Sequence, residues 1–195
     1  MPRTYRLGAR GAAVEATRRR ILDATLALHA EKGALGTTWQ DIARRADVAV
    51  GTVYYHFPSL EELLPACTGH GLHHHPPPTA GIFRDSESAA ERITALTRAL
   101  FAFYQKAAPW LRWSSDTPGV PAVLARLARQ REAGRQLLIG TALGSSVDER
   151  LGRITIALTS FGAWQSWISA GMTSEAAADV VSEMLVRRMN DVRRS

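Results

Sequence analysis

Residues 50–58 read VGTVYYHFP, two tyrosines and a histidine in a row on a segment that Phe57-Pro58 closes. Phenol hydroxyls and an imidazole donate and accept hydrogen bonds, and their rings add flat apolar surface. Gly51 and Thr52 just before them carry little bulk, so a helix built here lets its backbone come close to another molecule. Tyr54, Tyr55 and His56 are thus equipped to hydrogen-bond to another molecule and to press flat apolar surface against it. A second dense set is His70, His73, His74 and His75. Imidazole suits Zn²⁺ or Ni²⁺. On an extended proline-rich loop, however, adjacent side chains diverge, and Cys67 is the one further donor near them in sequence. No metal ligand set and no cofactor is expected from them.

Catalytic signatures are missing. The sequence has no G-x-S-x-G elbow, no Walker phosphate loop, no H-E-x-x-H and no strand–glycine–helix dinucleotide fingerprint. GTALGSS at 140–146 follows no strand pattern. The chain does not read as an enzyme.

The elements that must position these residues are helical. Apolar positions recur at helical spacing almost throughout, and no segment alternates with period two. The expected fold is all-α with about nine helices: an N-terminal helix-turn-helix unit and a larger C-terminal helical unit. Helix one runs from about Val14 to Lys32, ending at Gly33. Thr38-Trp39-Gln40-Asp41 is a capping-box pattern that opens helix two, which ends near Ala46. Helix three spans Val50 to about His56, since Pro58 disfavours helix at Phe57. Val48, Val53, Phe57 and Leu63 would close a core against Ile21, Leu28 and Ile42. Residues 69–81, GHGLHHHPPPTAG, read as a linker. Ser86 or Ser88 opens a helix to about Ala107 with Ile93, Leu96, Leu100, Phe103 and Ala107 on one stripe. Another runs from about Val120 to Ile139. A single helix is expected from Asp148 to Gly171, and a last one, capped by Thr173 or Ser174, to about Arg193. The domain division is 1–64 and 65–195.

Charge is placed unevenly. The chain carries a net +6, and residues 1–60 hold nine Arg/Lys against five Asp/Glu, a net of +4. That concentration favours an anionic partner for the first segment. Residues 1–20, without an apolar run, read as a flexible basic arm rather than a secretory signal. Cys67 is the only cysteine, so no intrachain disulfide forms and a reducing cytoplasm is the expected setting. The charge-free stretch from Ile154 to Ser174 is long enough to span a bilayer. Thr155, Thr159, Ser160, Gln165, Ser166 and Ser169 argue for burial between helices instead, so no membrane is expected.

Residues 17–64, TRRRILDATLALHAEKGALGTTWQDIARRADVAVGTVYYHFPSLEELL, resemble the DNA-binding segment of the TetR (tetracycline-repressor) family of bacterial regulators. T-R-x-x-I-L-D-A, A-E-K-G, T-T-x-x-x-I-A and G-T-V-Y-Y-H-F occur in order and at fitting spacing. The resemblance implies that Gly51, Thr52, Tyr54, Tyr55 and His56 meet operator DNA, with Thr38 and Trp39 near its backbone. Arg18, Arg19, Arg20, Arg44 and Arg45 are further phosphate candidates. The sequence departs from the pattern at Leu60, where a lysine is usual, at Ala49 for a capping serine, at Asp47 for glycine and at His29 for a core phenylalanine.

The family implies a homodimeric repressor, released from its operator by a small molecule. For the interface the apolar stripes of the last two helices are the candidates: Trp167 and Ile168, with Val181, Leu185, Met189 and Val192. For an apolar or aromatic effector the candidates are Thr97, Phe101, Tyr104, Trp110, Trp113, Phe161 and Trp164, with Arg131 and Arg135 as anchors for an anionic one. Two other readings stay open: a metal-responsive regulator using the histidine loop, and a small-molecule binder or enzyme that retains the helix-turn-helix.

Overall fold

A computed structural model describes residues 3–111, 122–144 and 148–194. Among them are nine α-helices, a short 3-10 turn and no strand. They fall into two compact units. The first comprises residues 3–74 with 122–127; the second comprises 75–111, 128–144 and 148–194. A boundary after residue 64 would cut a helix that the first unit holds whole.

In the first unit, α1 spans Arg3–Lys32. The helix starts well before the expected Val14, so the basic arm is not a loose tail. Arg, Ala and Leu are strong helix formers and carry the backbone through Gly8 and Gly11. Ile21, Leu22, Ala24, Thr25 and Leu28 are its buried face. Gly33, at φ 78°, ends it by donating to the His29 carbonyl at 3.0 Å. α2 (Trp39–Ala46) opens on the expected capping box: Thr38 and Asp41 each take the other's backbone N–H. Asp47 then takes the left-handed conformation, φ 53°, and donates to the carbonyls of Ala43 and Arg44. An aspartate tolerates that region better than most residues, which is how the chain turns here without a glycine.

α3 (Val50–His56) and α4 (Leu60–His74) follow. The α3 N-cap, Ala49, has no side-chain bond to give. Phe57 donates to the Val53 carbonyl at 2.8 Å and Pro58 ends the run. Ile21, Leu28, Ile42, Val53, Phe57, Leu63 and Cys67 form the core, with Val48 packed at its edge. α4 does not stop at residue 69. Gly71 is buried, and a Cβ there would come within 3.3 Å of a Leu26 methyl, so the missing side chain lets α4 lie close on α1. That contact holds the helix through the glycines, each of which disfavours helix by only about 1 kcal/mol. The irregular connection therefore begins at His75, with Pro76, Pro77 and Pro78.

His29 marks a chemical difference from an all-apolar core. Burial pushes its pKa down to about 4 from 6.5. The unfolded chain then binds the proton more readily than the folded one between those values. Stability is complete above pH 6.5 and is lost as pH falls towards 4, by up to about 3 kcal/mol. Urea unfolding at pH 7 and pH 5 is expected to show this loss, and His29→Phe is expected to reduce it.

The second unit is built on α5 (Ala89–Leu111) and α9 (Ser174–Arg194). Ser88 and Glu91 exchange side-chain-to-backbone bonds at the start of α5. Ile93, Leu96, Leu100, Phe103 and Ala107 are all buried, as their spacing predicts. α5 continues past Ala107 because Pro109 removes one donor near the helix end, where the turn survives its loss. The hydroxyls of Thr97 and Ser182 meet in the α5–α9 contact, and Arg98 holds Asp179 at 2.9 Å outside it. α6 (Ala122–Leu143) ends at Gly144, φ 79°.

The expected helix from Asp148 to Gly171 is two. α7 (Glu149–Leu158) and α8 (Phe161–Ser169) break at Thr159-Ser160. Ser160 caps α8 by accepting from the Ala163 amide at 3.1 Å. The Tyr104 hydroxyl donates to the Thr159 carbonyl at 3.0 Å, and Arg135 donates at 2.8 Å to the Ile156 carbonyl and to the Thr159 hydroxyl. These partners occupy the groups a continuous helix would need. Thr173 caps α9 through the Ala176 amide. No helix among the described residues is long and apolar enough to cross a membrane.

Candidate nucleic-acid interface

α3 sorts its residues by depth. Val53 within it and Phe57 just after it are 0% and 1% exposed. Tyr54 and Tyr55 are 45% and 76% exposed, while Thr52 and His56 are half-buried beside them. Two buried pegs four residues apart fix the inner face, so the outer face is presented without freedom to roll. Gly51 is exposed, and a Cβ there would meet nothing within 4 Å. The protein's own packing does not demand a glycine at this position.

Tyr54 is only partly covered on α3. Its ring lies 4.8 Å from that of Trp39 at the start of α2, so the two form one aromatic ledge joining both helices of the motif. The Tyr55 and His56 rings meet edge to face at 5.3 Å. Thr38, exposed, has its hydroxyl in the capping box.

Electrostatics around this face follow from one solvent-facing network. Asp41 accepts from Lys32 at 2.5 Å and from both the hydroxyl and the amide of Thr38, with Arg44 at 3.6 Å. The Lys32 and Thr38 bonds hold its carboxyl far below the usual carboxylate range. Arg45 pairs with Glu31 at 2.6 Å. Arg44 remains 78% exposed, and Arg19 and Arg20 are exposed too. Arg18 sits with its guanidinium 4.9 Å over the Phe57 ring. Reading the sequence missed this contact and the Lys32–Asp41 tie. The first joins α1 to the residue that ends α3 and the second joins α1 to α2, so only the folding of the later segments back onto α1 brings them together.

The residues expected to hold an effector have other work. Thr97, Phe101, Tyr104 and Trp164 are buried in the core of the second unit. The Thr97 hydroxyl is taken by the Ile93 and Thr94 carbonyls and Ser182, so it is no open anchor. The Trp164 indole donates to Ser174 at 3.0 Å, and burial pushes the Tyr104 hydroxyl up to about 12. Phe161 and Trp164 stack at 5.4 Å; Trp110 stacks on His75. Trp113 lies outside the described residues. Arg135 is likewise committed, to Glu132, Ile156 and Thr159. Aromatics at helical spacing serve first as core, and here they do.

The interface candidates divide in the same way. Val181, Leu185 and Met189 are buried within their own chain, on the face of α9 that meets the core. The amphipathic stripe is therefore already covered. Trp167, Ile168 and Val192 are half-buried, and Met184 is 47% exposed.

A short helix with an exposed polar-aromatic face, held on a three-helix core beside exposed arginines, defines a helix-turn-helix unit. Residues 21–67 match the family described as bacterial regulatory proteins, tetR family. The transcriptional repressor KstR of Mycolicibacterium smegmatis is 50% identical over 52 residues, which are 27% of this chain and 26% of KstR. The match thus spans about a quarter of that relative's length. The fold extends further. A TetR transcription regulator from Haloarcula marismortui superposes with a TM-score of 0.61 at 20% identity, covering 87% of this chain and 96% of that one. The multidrug binding protein EbrR, solved with imidazole, gives 0.59 at 22% identity, covering 87% and 88%.

Proposed function

We propose that this chain is a transcriptional repressor that binds operator DNA as a homodimer and lets go when a small apolar or aromatic molecule occupies its second unit. The observation that carries the reading is the 76% exposure of Tyr55 on a helix whose inner residues are locked in the core. A protein that keeps a large ring in water on a rigid mount gains nothing from it in folding. Open space at Gly51 supports the same reading, since a backbone free of side chain can approach a groove closely.

One helix-turn-helix makes few base contacts, so two must be held about a DNA turn apart. Trp167, Ile168, Val192 and Met184 are the partly open apolar residues of α8 and α9 suited to a second copy. KstR is a repressor and EbrR a multidrug binding protein. By extension, the effector acts here through unequal affinity for DNA-competent and released states, a coupling of roughly 1 to 3 kcal/mol.

Selection of bound genomic fragments identifies the operator. Tyr55→Ala is then expected to lower specific affinity by about 1–3 kcal/mol while leaving binding to random DNA nearly unchanged. An unchanged footprint would exclude Tyr55 from base readout. Arg19→Ala with Arg20→Ala serves as the contrast, weakening all sequences alike and flattening the salt dependence.

A further inference from the structure

We infer that Asp23, His70 and His74 form a binding site for a divalent transition-metal ion of the zinc type, within the first unit. The continuation of α4 to His74 creates it. His70 and His74 stand one helical turn apart on one face, with ring centroids 4.7 Å apart. Asp23 of α1 reaches the same place, its Oδ1 2.6 Å from His70 Nε2. One ligand atom from each residue lies within 4.8 Å of the other two. Bonds of about 2.0–2.2 Å to a tetrahedral ion need donors about 3.4 Å apart, so closing the set takes side-chain rotation alone.

The three residues differ in freedom in a way that suits capture. The His70 side chain is 12% exposed and fixed, whereas Asp23 is 61% exposed and His74 is exposed. A fixed imidazole with two mobile arms can close on an ion without moving the backbone. The ion would take the place of the hydrogen bond between His70 and Asp23, and water would fill the remaining position. Two imidazoles and a carboxylate match zinc, nickel or cobalt rather than calcium or magnesium, which prefer all-oxygen sets. His73 touches only the outer side of the His74 ring, at 5.6 Å, and His75 stacks on Trp110. The histidine run is therefore not one cluster: two of its members join a carboxylate from 47 residues earlier in the chain. The inference does not depend on the proposed DNA readout.

Cobalt titration of the untagged full chain, followed by the visible d–d absorption and by zinc competition, tests it. Asp23→Asn and His74→Gln, both at exposed positions, are each expected to weaken zinc binding at least about tenfold with unchanged circular dichroism. A His73→Gln, His75→Gln double variant is expected to bind as the parent does. Zinc is expected to raise the melting temperature of the parent and the double variant, and not of the other two. The site is refuted if either Asp23→Asn or His74→Gln keeps affinity within tenfold of the parent, or if the double variant loses as much as they do.

Discussion

Phe57→Ala is expected to lower the stability of the first unit by about 3–5 kcal/mol, the range for emptying a buried aromatic site. Phe57 is 1% exposed, closes the core beneath α3, and carries the Arg18 guanidinium over its ring. Its loss removes the packing, the cation–ring contact and one of the two pegs that orient the helix. Domains as a whole are stable by only about 5–15 kcal/mol, so a unit of this size would keep little reserve. Amide hydrogen exchange across α1 to α4 should accelerate by about two to three and a half orders of magnitude, since 1.4 kcal/mol is a factor of ten. DNA binding should fall with it. Acceleration of less than tenfold would mean that the core closes without this ring. Tyr55→Ala, two residues earlier, is the matched control because it leaves exchange alone.

The second large effect belongs to Arg135. Its guanidinium is 8% exposed as a residue and makes four bonds: two to Glu132, at 2.6 and 2.9 Å, and one each to Ile156 and Thr159. Arg135→Met keeps most of the stem's apolar volume and deletes all four. Glu132, 44% exposed, can turn to water. The Ile156 carbonyl and the Thr159 hydroxyl sit at the break between α7 and α8 and lose a charged donor. A loss of about 2–3 kcal/mol is expected, confined to the second unit. Arg135→Lys should recover only part, because an ammonium cannot reproduce the planar fork. Exchange of the α7 amides before and after substitution checks both values; equal protection in all three proteins would remove Arg135 from any structural role.

Much of the first unit could be read from residues alone, because its signals are local. Thr38 and Asp41 are three apart and cap each other; Pro58 stops α3; Val53 and Phe57 fall on one stripe. What was not legible depends on contacts between distant segments. Nothing near Gly69 and Gly71 in sequence shows that Leu26 needs a side-chain-free surface, so a glycine-rich helix read as linker. Nothing near Thr159 shows that Tyr104 and Arg135 will occupy its backbone and hydroxyl, so two helices read as one. The candidate sites divide likewise. The exposure of Tyr54 and Tyr55 was legible because two rings on a short helix closed by Phe57-Pro58 are conspicuous by type. The burial of Phe101, Tyr104 and Trp164 in the core was not legible, because an aromatic at helical spacing looks the same whether it lines a cavity or fills a core.

The division of α3 into anchored and free positions has an evolutionary consequence. Folding constrains residues 53 and 57 and ties Tyr54 to Trp39, while Tyr55, 76% exposed, contributes little to it. A lineage could change that residue, and whatever surface it meets, without crossing any valley of misfolded intermediates.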